Sequence, residues 1–332
     1  MRQFKFLLLL LMLAAAGMVS AQKLHFNKAG EFKILQFTDT HIDYKHGSND
    51  PVFELIAEIV DAERPDLVML TGDIVTREKP AEVYQRFEKL FADRKTPWSV
   101  VLGNHDEEHG STRAEIVEML KKFPNCLTTM VPGIKGASNF VLSVAGKDKK
   151  TKAVIYGLDS NGYSKIKDRV DGYDWFGLDQ IAWYKKVSSA FTQKNGGIPV
   201  PSLAFFHIPF TEYNDAWDNK STNHFGEKNE KISCPEINSG MFAAMVECND
   251  VMGTFVGHDH VNDYIGLSHY IALAFGRCSG GKNAYGELPD GGRVIVLKEG
   301  ERSFDTWIHE KGGKIVYRCN YPNSFITTLP KK

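Results

Sequence analysis

Seven residues of the types that bind hard or borderline metal ions stand just after apolar runs. Asp39 and His41 follow residues 32–37, and Asp73 follows residues 67–70. Asn104 follows residues 98–102, His207 follows residues 199–206, and His258 and His260 follow residues 251–256. Within Gly103-Asn104-His105-Asp106 an amide oxygen that can ligate a metal is adjacent to an imidazole that can move a proton. Asp39 with His41, and His258 with His260, are each two positions apart. In extended backbone residues i and i+2 point the same way, so each pair is expected to converge on one point. Carboxylate and amide oxygens mixed with imidazoles suit Zn, Mn or Fe rather than Ca or a thiolate-preferring metal. Seven donors exceed the needs of one ion. They suit two ions about 3.5–4 Å apart, as in two-metal hydrolytic sites.

The elements that must position these residues are readable from periodicity. Residues 51–63 place Phe53, Ile56, Ile59 and Val60 near one helical face, and residues 80–92 do the same with Val83, Phe87, Leu90 and Phe91. Pro80 suits a first helical turn. Asp39, Asp73 and Asn104 therefore close three strand-then-turn units at intervals of about thirty residues, the rhythm of βαβ units in a parallel sheet. Open α/β sheets place their sites at the carboxyl ends of strands, where these residues fall. Further on, residues 111–123 read as a helix with Ser111 as N-cap. Residues 139–144 and 153–158 read as strands joined by the Lys-rich turn 147–152, and residues 175–191 and 239–247 as helices. The loop 209–235 is long enough to be functional. Its Tyr213, Trp217, Asn223 and His224 either line a pocket mouth or are simply solvated. Strands over 270–275, 293–298, 303–309 and 314–317 are expected to pair antiparallel. Residues 22–332 read as one domain.

Residues 1–21 have the form of a secretory signal peptide. Arg2 and Lys5 precede an apolar run, 6–16, too short to span a bilayer, and Val19-Ser20-Ala21 offers a cleavage site before Gln22. A periplasmic or secreted protein with no membrane span after signal removal is expected. The 40 Lys and Arg, less Arg2 and Lys5, are balanced by 41 Asp and Glu. Without a basic cluster no specific nucleic-acid partner is expected. Cys126, Cys234, Cys248, Cys278 and Cys319 are odd in number, so at least one is unpaired or pairs between chains. Export permits disulfides, and Cys234 with Cys248 could close a loop across a helix.

Taken in order, Asp39-x-His41, Gly72-Asp73, Gly103-Asn104-His105-Asp106, His207 and Gly257-His258-x-His260 resemble the five motif blocks of the calcineurin-like metallophosphoesterases. Leu35-Gln36-Phe37-Thr38-Asp39-Thr40-His41, His207-Ile208-Pro209, the run from Val256 to Asp263, and Gly280-Gly281 with Ala284-Tyr285-Gly286 are similar to a small purple-acid-phosphatase-like branch found in plants and fungi. The resemblance implies an α/β fold, a four-layer α/β/β/α sandwich of two mixed sheets. It implies that Asp39, His41, Asp73 and His260 hold one metal and that Asp73 bridges to a second held by Asn104, His207 and His258. His105 would be the general acid, with Asp106 orienting it. Purple acid phosphatases carry a tyrosine three residues after the Gly-Asp aspartate; here Thr76 stands there, so no iron–tyrosinate colour is expected. The reaction so implied is hydrolysis of a small phosphate monoester by a hydroxide held between the ions. A phosphodiesterase or nucleotide hydrolase on the same site and a non-catalytic extracellular binding protein are the alternatives.

Overall fold

The computed structural model describes residues 24–43, 49–77 and 79–326; the leader expected over residues 1–21 lies outside them. The chain runs β1 (Leu24–His25), β2 (Glu31–Phe37), α1 (Asp50–Glu63), β3 (Leu67–Thr71), α2 (Ala81–Asp93), β4 (Trp98–Val101) and α3 (Arg113–Leu120). It continues through β5 (Phe140–Ala145), β6 (Thr151–Gly157), α4 (Leu178–Lys194), β7 (Ser202–Phe205), α5 (Glu212–Asp218), α6 (Met241–Cys248) and β8 (Val251–Val256). It ends with β9 (Ile265–Ser268), β10 (Ile271–Phe275), β11 (Gly291–Lys298), β12 (Phe304–Glu310) and β13 (Ile315–Tyr321). The strands form two mixed sheets, ordered β13-β12-β11-β2-β3-β4 and β1-β5-β6-β7-β8-β10-β9.

The period-2 alternation of strand side chains divides the apolar residues among three cores. Phe32 and Ile34 of β2, Leu67 and Met69 of β3, and Leu203 and Phe205 of β7 face the space between the sheets. Their alternates on the first sheet, Leu35, Phe37, Val68 and Leu70, pack on α1, α2 and α3 through Ile56, Val60, Phe87 and Ile116. Those on the second sheet, Ala204, Val256 and Leu273, pack on α4, α5 and α6 through Tyr184, Tyr213 and Met245. Strands buried on both faces read as continuous apolar runs, as residues 67–70 and 251–256 do. The result is a four-layer α/β/β/α sandwich, the fold the resemblance implied.

Several local expectations are revised. The N-cap of α3 is Thr112 rather than Ser111, because only Thr112 has a glutamate three residues on: Glu115 N–H donates to its hydroxyl and the Glu115 carboxylate accepts from Thr112 N–H. The loop 209–235 contains α5, whose Tyr213 is fully buried and bonded to Thr254 and the Ala274 carbonyl, not at a pocket mouth. Asn223 is tied to the Ser324 carbonyl near the chain's end. Among the tail strands, β11–β12 and β12–β13 pair antiparallel, and β10 pairs antiparallel with β9 on one side but parallel with β8 on the other. All five cysteines are free thiols, so Cys234 and Cys248 do not close a loop. No described helix is long and apolar enough to cross a membrane.

The α3 cap matters beyond the helix, since Arg113 one residue on supports the turn at Gly103. Thr112→Ala should lower unfolding free energy by about 1 kcal/mol in a denaturant titration; an unchanged midpoint would contradict this account of the cap.

Candidate metal centre

Strands β2, β3 and β4 are parallel neighbours in one sheet, and β7 and β8 are parallel neighbours in the other. Their carboxyl ends meet at one edge of the sandwich. There Asp39, His41 and His260 form one group of donors able to hold a metal ion, and Asp73, His207 and His258 form another. His41 Nε2 lies 3.1 Å from His260 Nε2, and His260 Nε2 lies 3.5 Å from Asp39 Oδ1. His207 Nε2 lies 3.1 Å from Asp73 Oδ2 and 3.2 Å from His258 Nδ1. Asp73 Oδ2 is also 3.9 Å from His41 Nε2, so one carboxylate oxygen faces both groups. Asn104 completes the set on the β4 turn. Its Oδ1 is buried without a hydrogen-bond partner, which is costly unless something electropositive sits there.

The convergence does not come from extended backbone. Asp39, His41, Asp73 and His258 have φ of 54°, 43°, 52° and 81°. Left-handed backbone at four non-glycine residues stores strain of the kind found at functional sites. It bends the strand ends so that Asp39 and His41 meet in one group, whereas His258 and His260 part into the two groups, contrary to the expectation that each pair would share one point. Gly103 takes no left-handed φ; its role is close approach, because a Cβ there would overlap the Asp73 carboxylate and its backbone nitrogen.

His207, Asp73 and Asp39 are each aimed by a bond on the far side. His207 Nδ1 faces the Thr71 carbonyl at 2.8 Å, and a carbonyl only accepts, so Nδ1 carries a hydrogen and Nε2 is the nitrogen turned toward the site. His105 N–H donates to Asp73 Oδ1 at 2.8 Å, leaving Oδ2 free. Thr38 hydroxyl and His258 N–H donate to Asp39 Oδ2. Asp106 does not orient the His105 ring as expected. Its carboxylate accepts the backbone N–H groups of Gly103, Asp73, Ile74 and Val75 at 2.8–3.1 Å, tying the β3 turn to the β4 turn. Burial first, then the Asp73 charge, push Asp106 up to about 6 against those four donors. Arg113 supports the same turn, donating to the Leu102 and Gly103 carbonyls while paired with buried Asp159 at the end of β6.

The group that does face His105 is Glu108, whose Oε2 is 2.6 Å from His105 Nδ1. The carboxylate fixes the hydrogen on Nδ1 and leaves Nε2 to exchange a proton. The His105 and His41 rings are 5.6 Å apart, which sets His105 beside the donor cluster. Sequence reasoning missed Glu108, and it missed the tyrosines at the rim. Tyr163 hydroxyl lies 3.1 Å from Asn104 Nδ2, the Tyr173 ring meets His258 edge-on, and Tyr285 stacks on His260. Asn262 and Asp263 hold structure: Asp263 pairs with buried Arg277, and Asn262 Oδ1 accepts from Asn229 and Glu230 N–H.

The calcineurin-like phosphoesterase profile matches residues 32–262, which include all of these donors. The chain belongs to that family. It resembles the purple-acid-phosphatase-like proteins of plants and fungi. It is 31% identical to a protein of Arabidopsis thaliana named probable inactive purple acid phosphatase 29, over 86% of this chain and 82% of that one. It is 29% identical to a phosphatase of Saccharomyces cerevisiae, over 86% of this chain and 55% of that one. In fold it resembles a dimetal phosphatase from Danio rerio, with a TM-score of 0.56 at 13% identity, over 86% of this chain and 99% of that one.

The electrostatics of the phosphoesterase centre fit cations. Burial raises the cost of the Asp39 charge, but the His260 hydrogen bond and the charge of His207 outweigh it and hold Asp39 near 2. Burial likewise opposes a charge on His207, yet the Asp73 charge and hydrogen bond lift it to about 9. A cation that takes His207 Nε2 and Asp73 Oδ2 must displace that proton. Metal affinity, measured by calorimetry in buffers of different ionisation heat, should rise about tenfold per pH unit from pH 7 to about 9 and then level, with proton release. A pH-independent affinity over that range would contradict the assignment of His207 as a donor.

Proposed function

We propose that this phosphoesterase is an exported, acid-phosphatase-like phosphomonoesterase working with two metal ions. Asp39, His41, Asp73 and His260 would hold one ion. Asp73, Asn104, His207 and His258 would hold the other. The observation that carries the reading is that donors from four strand ends meet in two groups, with Asp73 Oδ2 facing both. Zn, Mn or Fe fits this donor set of carboxylates, an amide and imidazoles. When bound, two such ions neutralise the charge of a phosphate ester and lower the pKa of water for attack on phosphorus.

The chain's own contribution to bond breaking is His105. With Nδ1 anchored on Glu108, Nε2 carries the proton that the departing alkoxide oxygen takes up. The ring is a third exposed, so it can meet a substrate that enters from solvent. Asp106 has no part in proton transfer in this reading; it holds the Asp73 and Asn104 turns in register. Export rests on Arg2, Lys5 and the apolar run before Ala21, and amino-terminal sequencing of the mature protein should begin at Gln22.

The name of the Arabidopsis relative favours a rival reading, a non-catalytic protein that keeps the fold. The presence here of seven donors together with His105 supports catalysis. A panel of p-nitrophenyl phosphate, bis-p-nitrophenyl phosphate and nucleotides decides among the readings. Metal-dependent turnover should be highest on monoesters; higher turnover on the diester would favour the phosphodiesterase, and no turnover of any ester by metal-loaded protein would favour the scaffold.

Two outcomes follow from particular residues. His105→Ala should lower turnover by about 10²–10⁴-fold on esters with poor leaving groups, less on p-nitrophenyl phosphate, with metal content intact. Equal loss on all esters, or loss of metal, would count against the acid role. Because Thr76 stands where a ferric-binding tyrosine would be, the metal-replete protein should lack an intense visible charge-transfer band; its appearance in the as-isolated protein would overturn this reading.

A further inference from the structure

We propose that the hairpin of residues 162–174 clamps the ligands of the second metal ion, with Tyr163 as the positioning residue for Asn104 and Tyr173 as the brace for His258. This inference rests on the reading that two cations bind at the strand ends. The hairpin is closed by an antiparallel bridge between Tyr163 and Tyr173 and by hydrogen bonds from Ser164 N–H to the Gly172 carbonyl and from Asp174 N–H to the Gly162 carbonyl. Its base is fixed. The Lys135 ammonium donates to buried Asp174 and to the Trp175 carbonyl at 2.6 and 2.7 Å, and Asn161 Nδ2 donates to the same carbonyl. A clamp needs such a rigid footing.

Both contacts of the hairpin with the donor set fall on ligands of one position. Tyr163 hydroxyl is 3.1 Å from Asn104 Nδ2. An asparagine amide can be turned either way, and only its oxygen has lone pairs to offer a cation. A hydroxyl that accepts from Nδ2 keeps the nitrogen outward and the buried, otherwise unpartnered Oδ1 inward. A hydroxyl can also donate, which would permit the opposite orientation. Here it is Nδ2 that faces the hydroxyl, so the hydroxyl accepts and Oδ1 is the atom turned away from it. On the other strand the Tyr173 ring meets the His258 ring at 4.5 Å and 85° and stacks on Tyr163 at 5.7 Å and 22°. The two tyrosines thus brace one another while each holds a different ligand of the same ion. Tyr163 also meets the His105 ring edge-on, with centroids 6.3 Å apart.

The test is a calorimetric titration of the full-length protein, stripped by chelator, with Zn²⁺ or Mn²⁺. Tyr163→Phe removes one oxygen and keeps the ring stack. It should weaken one of two binding steps about 10–100-fold, the range for loss of a ligand's supporting hydrogen bond. That step should be the one Asn104→Ala weakens, and the Tyr163→Phe/Asn104→Ala double variant should be little weaker than Asn104→Ala alone. The unmoved step reports that the variant is folded. The clamp is overturned if Tyr163→Phe leaves both steps unchanged, shifts both equally, or adds fully to Asn104→Ala. Wild-type protein that takes up fewer than two ions overturns the dinuclear reading, and the clamp with it.

Discussion

Two carboxylates, Asp39 and Asp73, are buried together with almost no water to solvate them. Isolated buried charge is among the costliest things a fold can hold. The same histidine nitrogen, His207 Nε2, lies 3.1 Å from one and 3.9 Å from the other. The rest of the structure depends on how this concentrated negative charge is compensated. Protons on the imidazoles do so partially, and like charges on neighbouring histidines oppose one another: burial and the charge on His207 drive His258 down to about 3. In the proposed reading two metal ions would satisfy these donors together, including Asn104 Oδ1, which is otherwise buried without a partner.

Holding such an arrangement requires a frame that resists it relaxing. The frame is the meeting of two sheets whose parallel strands end at one edge. Asp106 binds four N–H groups drawn from both the β3 and β4 turns, so Asp73 and Asn104 move together. Arg113 and Asp159 link the β4 turn to the end of β6 in the other sheet, and Ser160 beside Asp159 accepts the Ile208 N–H next to His207. The strained φ of Asp73 persists because Asp106 ties its turn, and those of Asp39, His41 and His258 because Asp39 N–H bonds the Gly72 carbonyl, His41 N–H the Asp73 carbonyl and His258 N–H the Asp39 carboxylate.

Much of this was legible in the sequence. Donors at strand ends are readable because a residue after an apolar run is fixed in place by the run, whatever the turn geometry. The spacing of β2, β3 and β4 marked βαβ units of a parallel sheet, while the four-layer sandwich was implied by the family resemblance. What was not legible depends on how turns fold over one another. Asp106 is adjacent to His105, but three of its four partners are about thirty residues away in the β3 turn. Glu108 reaches the imidazole only because the chain folds back after His105. Tyr163 and Tyr173 have no distinguishing spacing; a bridge between two strands of a short hairpin brings them to the site. Tyr213 has the composition of a pocket residue, yet it belongs to the buried face of a short helix. The i, i+2 argument found the shared point of Asp39 and His41 through the wrong backbone, since these strand ends curl into left-handed conformations, and it was wrong for His258 and His260, which join different groups.

The most direct measurement of the central claim is anomalous diffraction from crystals of the protein grown with Zn²⁺ or Mn²⁺. Two adjacent peaks are predicted, one among Asp39, His41 and His260 and one among Asn104, His207 and His258, with Asp73 between them. A single peak, or peaks away from these residues, would contradict the account.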